Sequence, residues 1–482
     1  MQKRFFSSLA LSLFLNLLIK PFSVLVIDVG VQRVLGNEIY GQYFVLLSLT
    51  LVFNIFLDLG INNFTTRYIA QDESNLNKHV SRVLYLRGFL FLLYTLFVLV
   101  SASLINLATE HYILLILLVL NQFLIQSVAF IRSLFSGLHL FKTDTLISVL
   151  DRALLIIIMG SALLFSVSSI TIYNFVLAQS ICYLITFSLA LWLIRKQLKS
   201  ILPVFDLSYI MDILKRSAPY ALLVLLMMLY NRSDVVLLKQ ISSDGNYQAG
   251  IYAQGYRLLD AFYMLGMIFA GLLFPVFSRM IHQKNKDLMA LVQVTGKLLI
   301  GGAISIFFIV SYNGSYILHF IYGEKIDYNS ITVFNYLMLA FAAMSFNFIF
   351  GTLLTAAGYL KSLNISAFLG VFISICSNIY FIPTFGALGC AISAFITQTF
   401  VSMVLVIISA KSLQVYFNMR SLFSFVLYTI SLFSIKFLLE LKVPAYSSLW
   451  FDISLVLVFA FVFSIIDFNS LRKIWQFKEE AQ

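Results

Sequence analysis

Charge is scarce in this sequence. Only 11% of the 482 residues are Asp, Glu, Lys or Arg, while 61% are hydrophobic. A soluble domain could not hide that much apolar side chain. The polar residues gather in short loops between apolar blocks of 18 or more residues. Each block is long enough to cross a hydrocarbon core of about 30 Å as a helix. The ~10-residue alternating segments of a membrane β-barrel are absent. Cysteine is nearly absent too. Cys182, Cys376 and Cys390 all lie in apolar blocks, and they read as small buried side chains, not disulfides or metal ligands. There is no P-loop, no H-E-x-x-H and no nucleophile elbow. The sequence therefore predicts an all-α polytopic membrane protein that is not an enzyme and has no cofactor. Without an ATP site, its energy must come from an ion gradient, of protons or sodium, or from use of the cargo on the far side.

Met1 to Arg4 is basic, and an apolar stretch extends from Phe5 to about Val31. That is too long for a signal peptide and lacks a small-x-small site, so it reads as the first span. Fourteen spans are expected, at about 8–31, 41–66, 83–105, 112–134, 143–166, 170–194, 217–240, 250–277, 290–318, 329–357, 362–382, 386–410, 421–440 and 446–467. With that count, 24 of the 32 Lys and Arg fall on one side, Arg67, Arg87, Arg132 and Arg152 among them. Five fall on the other: Arg33, Lys239, Lys325, Lys436 and Lys442. The positive-inside rule places both termini in the cytoplasm. The net charge of +11 is then a topology signal, and no nucleic-acid partner is expected.

The chain repeats itself. Gly36 to Tyr43 reads GNEIYGQY and Gly245 to Tyr252 reads GNYQAGIY. Gly36/Gly245, Asn37/Asn246, Gly41/Gly250 and Tyr43/Tyr252 match. Both stretches link two spans on the outer side, 209 residues and six helices apart. An even number of helices makes the repeats parallel. The expected plan is two pseudo-symmetric six-helix bundles, 1–200 and 201–412, then two further helices and a tail, 413–482. Transport folds commonly have this plan, with the substrate between halves.

The same stretches resemble a family. Arg33 to Gln71 is similar to the first outer loop and second span of polysaccharide flippases, which belong to the multidrug/oligosaccharidyl-lipid/polysaccharide exporter superfamily, whose MATE-like fold it would share. Leu35, Gly36, Tyr40, Gly41, Leu59, Gly60, Arg67 and Tyr68 match the pattern LG-x-x-x-YG, an apolar span, LG-x-x-x-x-x-x-R-Y. RSAPY, RSDVVLLKQI, AGIYAQGYRLLD, TAAGYLKSLNISA and PTFGALGCAISAFITQ resemble later parts of the family. The resemblance implies a flippase in the cytoplasmic membrane that works by alternating access. Its cargo would be an undecaprenyl-pyrophosphate-linked oligosaccharide repeat unit for O-antigen, capsule or exopolysaccharide. Membrane lipids and a polysaccharide polymerase are the implied partners. Related branches export drugs or flip the peptidoglycan precursor.

Such a task needs cations deep in the membrane, where a charge costs roughly 2.5–3.5 kcal/mol even on lenient scales. Lys20 lies mid-span just before Pro21, which should kink the helix. Asn16 is one turn below on the same face. A snorkelling lysine there would have to reach ~15 Å, so lining a cavity is the better reading. Arg232 lies in the outer half of span seven, where a guanidinium could meet phosphate or form an interhelix bridge. Asp234, two residues on, points elsewhere, and Asn231 shares its face. Arg257 in span eight has Asp260 three residues on; snorkelling is its rival reading. Tyr252, Tyr256, Asp260 and Tyr263 form a stripe suited to sugar rings or to an interface. Tyr256 is taken as a substrate contact. Asp28, Asp58 and Asp234 are candidates for the coupling ion, with counter-ion duty as the alternative. Asn54, Asp58 and Asn62 would share one helical face. Arg67 could guide headgroup entry or only mark the cytoplasmic side.

Three deep bases favour a lipid-linked anion over a cationic drug, although Asp28 and Asp58 weaken that signal. Outer loops of only about ten residues argue against a polymerase or glycosyltransferase. The peptidoglycan-precursor flippase is the nearest rival. The topology has a direct test: cysteines placed at Asn106, Ser169 and Gly386 should label from outside intact cells, and those at Asn75, Ser200 and Lys284 should not. Outside labelling at Ser200 would break the fourteen-span plan.

Overall fold

The computed structural model describes residues 14–198, 204–285, 287–323, 326–442 and 449–465, and these are helical with short connections and no strand. Met1 to Arg4, Lys199, Ser200, Lys286, Lys325 and the tail with Arg472, Lys473 and Lys478 lie outside them. Span one is α1 (Phe14–Leu35). Span two is divided into α2 (Asn37–Val52) and α3 (Ile61–Gln71). Then come α4 (Leu76–Leu104), α5 (Tyr112–Gly137), α6 (Phe141–Phe165), α7 (Ile172–Ile194), α8 (Leu207–Ile241) and α9 (Gly245–His282). They are followed by α10 (Leu288–Tyr322), α11 (Tyr328–Ala356), α12 (Leu360–Phe385), α13 (Ala387–Leu413), α14 (Met419–Lys442) and α15 (Leu449–Val462). Among the described residues, twelve helices can cross a membrane by length and composition, and the divided span makes thirteen. The fourteenth expected span corresponds to α15, which has 14 described residues. Large apolar side chains such as Leu164, Phe165, Leu92 and Phe89 are exposed, as lipid-facing positions must be.

Packing groups the chain into two compact units, 1–253 and 254–482. The bundle division at residues 200 and 412 rests on the sequence repeat. In the first unit, α8 runs along α2, and α5 packs on both α3 and α7. One core of this unit is built from Val83, Leu86, Leu90, Ile131, Leu134, Phe135, Ile147 and Ile213. The start of α8 is tied down outside the membrane span. Asp206 accepts from the Tyr209 backbone N–H at 3.1 Å and pairs with Arg82 at 3.1 Å. These bonds, the Tyr209 N–H first among them, hold its carboxyl below the usual carboxylate range.

Two expected spans are irregular. In α1, Pro21 cannot donate a backbone hydrogen bond, and a π-helical turn occupies Ser23–Asp28 just beyond it. Span two bends by 50° between α2 and α3. The chain passes through a 3-10 turn, Asn54–Leu57. It then takes left-handed backbone at Leu59 (φ 46°) and Gly60 (φ 81°). This corrects the expectation of one shared face for Asn54, Asp58 and Asn62. The face requires an unbroken helix, and the helix stops between the first residue and the third.

The repeat is a packing motif. A Cβ on Gly41 would collide with the Asn246 carbonyl and the Gly250 nitrogen. One on Gly250 would collide with the Asn37 carbonyl. Asn37 and Gly41 are the repeat partners of Asn246 and Gly250, so each strip meets the other with the same residues. That reciprocity is the mark of a local two-fold contact. Gln32 adds a hydrogen bond from Nε2 to the Gly250 carbonyl at 2.8 Å.

In the second unit, α10, α11, α12 and α13 form the main packing and α14 and α15 dock on α10. A charge holds that docking. Lys436 on α14 reaches Asp452 on α15 at 2.7 Å, with both side chains fully buried. Asn313 on α10 donates to the same carboxylate at 2.7 Å. Lys436 is therefore not an outer-loop charge. Arg87 and Arg152 likewise lie well inside α4 and α6 rather than at a membrane face. Without these three the tally is 22 against four, and the expected orientation rests on the sequence alone.

The glycine crossing predicts a contrast. Gly41→Ala or Gly250→Ala must force two backbones apart, and should lower the thermal midpoint of the purified protein by several degrees, the effect of losing about 1–3 kcal/mol to overpacking. Gly302→Ala, where a Cβ would meet nothing within 4 Å, should be neutral or stabilising. Equal midpoints in all three variants would remove the crossing as a constraint.

Candidate functional site

The polar interior of the first unit is built on α1. Asn16 donates from Nδ2 to the Ser148 hydroxyl on α6 at 3.0 Å. One turn on, Lys20 lies in electrostatic range of Arg132 on α5 and of Asp144, Asp151 and Arg152 on α6. Arg132 pairs with Asp144 at 2.7 Å through its Nε. Arg152 stands 3.6 Å from Asp151 and also acts on Asp28, Tyr43 and Tyr183. Gln179 donates to the Tyr43 hydroxyl at 3.2 Å. Four helices, α1, α2, α6 and α7, thus surround one guanidinium. The π-turn over Ser23–Asp28 lies in this wall, and such turns recur where a helix serves a site.

The cluster joins three of the expected residues, Asn16, Lys20 and Asp28, and adds several that sequence reading did not single out. Arg152 is the clearest of these. It lies eleven residues beyond Phe141, about 16 Å along a helix at 1.5 Å per residue. That depth was readable from the span boundaries, but the tally of loop charges absorbed it. Arg132 was hidden for the same reason. Three cations (Lys20, Arg132, Arg152) and three acids (Asp28, Asp144, Asp151) balance here; Asp28 is buried and the other five are half-buried.

The other expected residues lie elsewhere. Asp58 sits at the break of span two, where its carboxylate accepts the Asn62 backbone N–H at 3.0 Å. It therefore caps the restarted helix α3. Arg87 lies in electrostatic range of Asp58. Its Nη2 donates to the Gln126 carbonyl at 2.8 Å and its guanidinium covers the Phe130 ring. Arg67 is exposed on α3. Asp234 is buried on α8 and takes the Tyr252 hydroxyl at 2.5 Å and the Val235 N–H at 2.8 Å. Arg232 is half-buried and lies in electrostatic range of Asp234. Asn231 turns back to the Met227 carbonyl at 2.8 Å.

In the second unit, Arg257 pairs with Asp260 at 3.6 Å, and both side chains are buried. The guanidinium is turned into protein, so the snorkelling alternative does not describe it. Tyr256 is buried as well, and Tyr263 packs on Phe348 with ring centroids 5.3 Å apart. Among the described residues no group of three or more His, Cys, Asp or Glu could hold a metal ion.

A family model described as "Polysaccharide biosynthesis protein" matches residues 7–281. The fold is similar to that of an inward-facing multidrug resistance MATE family transporter of the MOP superfamily, at 15% identity and a TM-score of 0.64, covering 82% of this chain and 94% of that one. It is similar to the lipid II flippase MurJ in an inward closed conformation, at 16% identity and a TM-score of 0.62, covering 94% and 97%. It is also similar to a MOP superfamily transporter from Pyrococcus furiosus, described as having a binding pocket of reversed polarity, at 14% identity and a TM-score of 0.56, covering 83% and 95%. No curated protein matches by sequence.

The balanced cluster predicts a rescue pattern. Arg152→Gln leaves two acids without their guanidinium; the Arg152–Asp151 pair is half-buried, so the cost should be below the ~3–5 kcal/mol of breaking a fully buried pair. Membrane abundance of Arg152→Gln should fall severalfold, and adding Asp28→Asn should restore part of it. If the double variant is as scarce as the single, Asp28 does not compensate Arg152.

Proposed function

The chain belongs to the polysaccharide biosynthesis protein family, and on that premise we propose that it is a flippase for a lipid-linked oligosaccharide. It would turn an undecaprenyl-pyrophosphate-linked repeat unit from the cytoplasmic to the outer face of the inner membrane by alternating access. The observation that carries this reading is the gathering of Lys20, Arg132 and Arg152 inside one apolar unit. A pyrophosphate must be held away from water, and phosphate oxygens take charge-assisted bonds from ammonium and guanidinium groups. Before cargo enters, Asp28, Asp144 and Asp151 keep the cluster neutral. An entering pyrophosphate can replace those acids as the partner of Lys20 and Arg132. Withdrawal of an acid by a proton or sodium ion would then couple an ion gradient to cargo movement. In this reading Arg67 and Arg232 of the first unit, and Arg257 and Tyr256 of the second, are each taken separately as further contacts for the cargo.

The gathered cations suit a lipid-linked anion better than a cationic drug, and the peptidoglycan precursor is the second reading. The two separate in cells. A strain depleted of its own lipid II flippase would regain growth if this protein carried that precursor. A strain lacking a repeat-unit flippase would regain surface glycan if it carried the oligosaccharide.

Lys20 provides the residue-level test. Lys20→Ala should abolish glycan export at normal membrane abundance, and Lys20→Arg should keep part of it, because the charge matters more than the shape of a point cation. Full export by the alanine variant would take Lys20 out of the site. Arg232→Gln should also lose export. Asp28→Asn should not rescue it, since Asp28 lies beside Arg152. Rescue would make Arg232 a fold element.

A further inference from the structure

The two repeats touch in different ways at different places in the first unit. At the glycine crossing, backbone lies on backbone, and Gly41 and Gly250 leave no room for a side chain. The lead-in to α8, which opens the second repeat, is instead strapped to α4 of the first by a run of attachments. The Val204 N–H donates to the Ser81 carbonyl at 3.0 Å. The Phe205 ring stands edge-on to Tyr85, with centroids 6.2 Å apart. Asp206 pairs with Arg82 at 3.1 Å. The Tyr209 hydroxyl bonds His79 Nδ1 at 2.6 Å, and the Arg82 guanidinium lies 4.8 Å over the Tyr209 ring. His79 carries the joint to a third helix. Its Nε2 is bonded to Thr65 Oγ1 on α3 at 2.8 Å, and the Tyr68 ring lies 5.3 Å from the imidazole.

We propose that residues 204–209 form a latch, closed in this structure, that opens to admit cargo between the repeats while the glycine crossing stays shut. The inference deepens the flippase reading and rests on it. It also rests on the expected orientation, which turns this end of the unit toward the cytoplasm, the side from which that reading takes the cargo. The chemistry of the two contacts sets the order. Parting the crossing separates backbones that fit only without side chains and breaks the Gln32 bond to the Gly250 carbonyl. Hydrocarbon supplies no replacement for that bond. The latch is held by polar side chains that water reaches, with Arg82 and Asp206 exposed by 23% and 24%. Water replaces the bonds of a guanidinium, a carboxylate and a phenol, so the net cost of release is small. The lead-in leaves as one piece, because Asp206 also accepts the Tyr209 N–H and the Ser208 hydroxyl. Arg82 serves both Asp206 and Tyr209, so loss of either attachment weakens the other. Just beyond the latch, α8 borders two cavities of about 200 Å³ each, with Leu214, Ala218, Ala221 and Tyr220 in their walls. Its first turns therefore have space to shift without being driven into close-packed side chains.

The test uses the full-length protein in inside-out membrane vesicles, with the exposed Cys376 changed to serine (Cys376→Ser). Ser217 lies beyond the latch on α8, buried against Gly60. Ser217→Cys should react slowly with a membrane-impermeant maleimide. Tyr209→Phe, which removes the bond to His79, and Arg82→Gln, which removes the pair with Asp206, should each raise that rate about fivefold. Asp212→Asn breaks only the exposed pair with Arg216 inside α8 and should leave the rate unchanged. A second protein carries Ser81→Cys and Val204→Cys. Bridging these thiols with a short cleavable cross-linker should stop glycan movement into the vesicle lumen, and reductive cleavage should restore it. An unchanged rate in Tyr209→Phe and Arg82→Gln, an equal rise in Asp212→Asn, or undiminished transport by the bridged protein would overturn the latch. If the unbridged protein moves no glycan, the flippase reading fails, and the labelling rates still decide the latch.

Discussion

Hydrocarbon offers no hydrogen-bond partner to a backbone N–H or to a charge, and this constraint organises the molecule. Wherever the chain departs from regular helix or carries an ionisable group, the partner must come from the protein. Asp58 shows the rule at the backbone. Span two breaks beside it, and its carboxylate receives the Asn62 N–H of the helix that restarts. Asp234 shows it for a buried acid on α8, which takes a tyrosine hydroxyl and a backbone N–H. Lys436 shows it for a cation, held by Asp452 in a fully buried pair that docks the last two helices.

The same rule separates charges that fix structure from charges available for work. A pair such as Lys436–Asp452 is closed: Asn313 completes it and Tyr312 lies against the ammonium. The group around Lys20 is open in composition. It draws on several helices, mixes three cations with three acids, and includes a π-turn where α1 passes it. Its neutrality depends on every member being in place, so the arrival of an anion or the removal of one acid must redistribute its bonds. That property suits a transport cluster better than a structural one.

The internal repeat has a physical explanation. Its matched glycines and asparagines form one crossing in which Gly41 meets Asn246 and Gly250 meets Asn37. Backbones that approach this closely exclude any side chain at the two glycines. The crossing makes the same demand on both copies, which is why the match is short and confined to this strip. Elsewhere the copies need only be apolar and helical, and many sequences meet that requirement.

The sequence by itself determined the all-helical membrane class and the family, because each rests on length, hydrophobicity or local motif. It also located Lys20 and Asn16 on one face of one helix, since that needs only the 3.6-residue period. Tertiary structure alone decided partnership. That Lys20 lies in electrostatic range of Asp144, Asp151 and Arg152 depends on how α1 lies against α6, and no local pattern encodes it. The tally of loop charges concealed Arg87, Arg152 and Lys436, because a charge with a buried partner can sit far from the membrane face. The regular face drawn through Asn54, Asp58 and Asn62 failed for a related reason. Helical periodicity assumes an unbroken helix, and the left-handed turn at Leu59 and Gly60, with Asp58 bonded to the Asn62 N–H of the restarted helix α3, is a feature of the folded backbone.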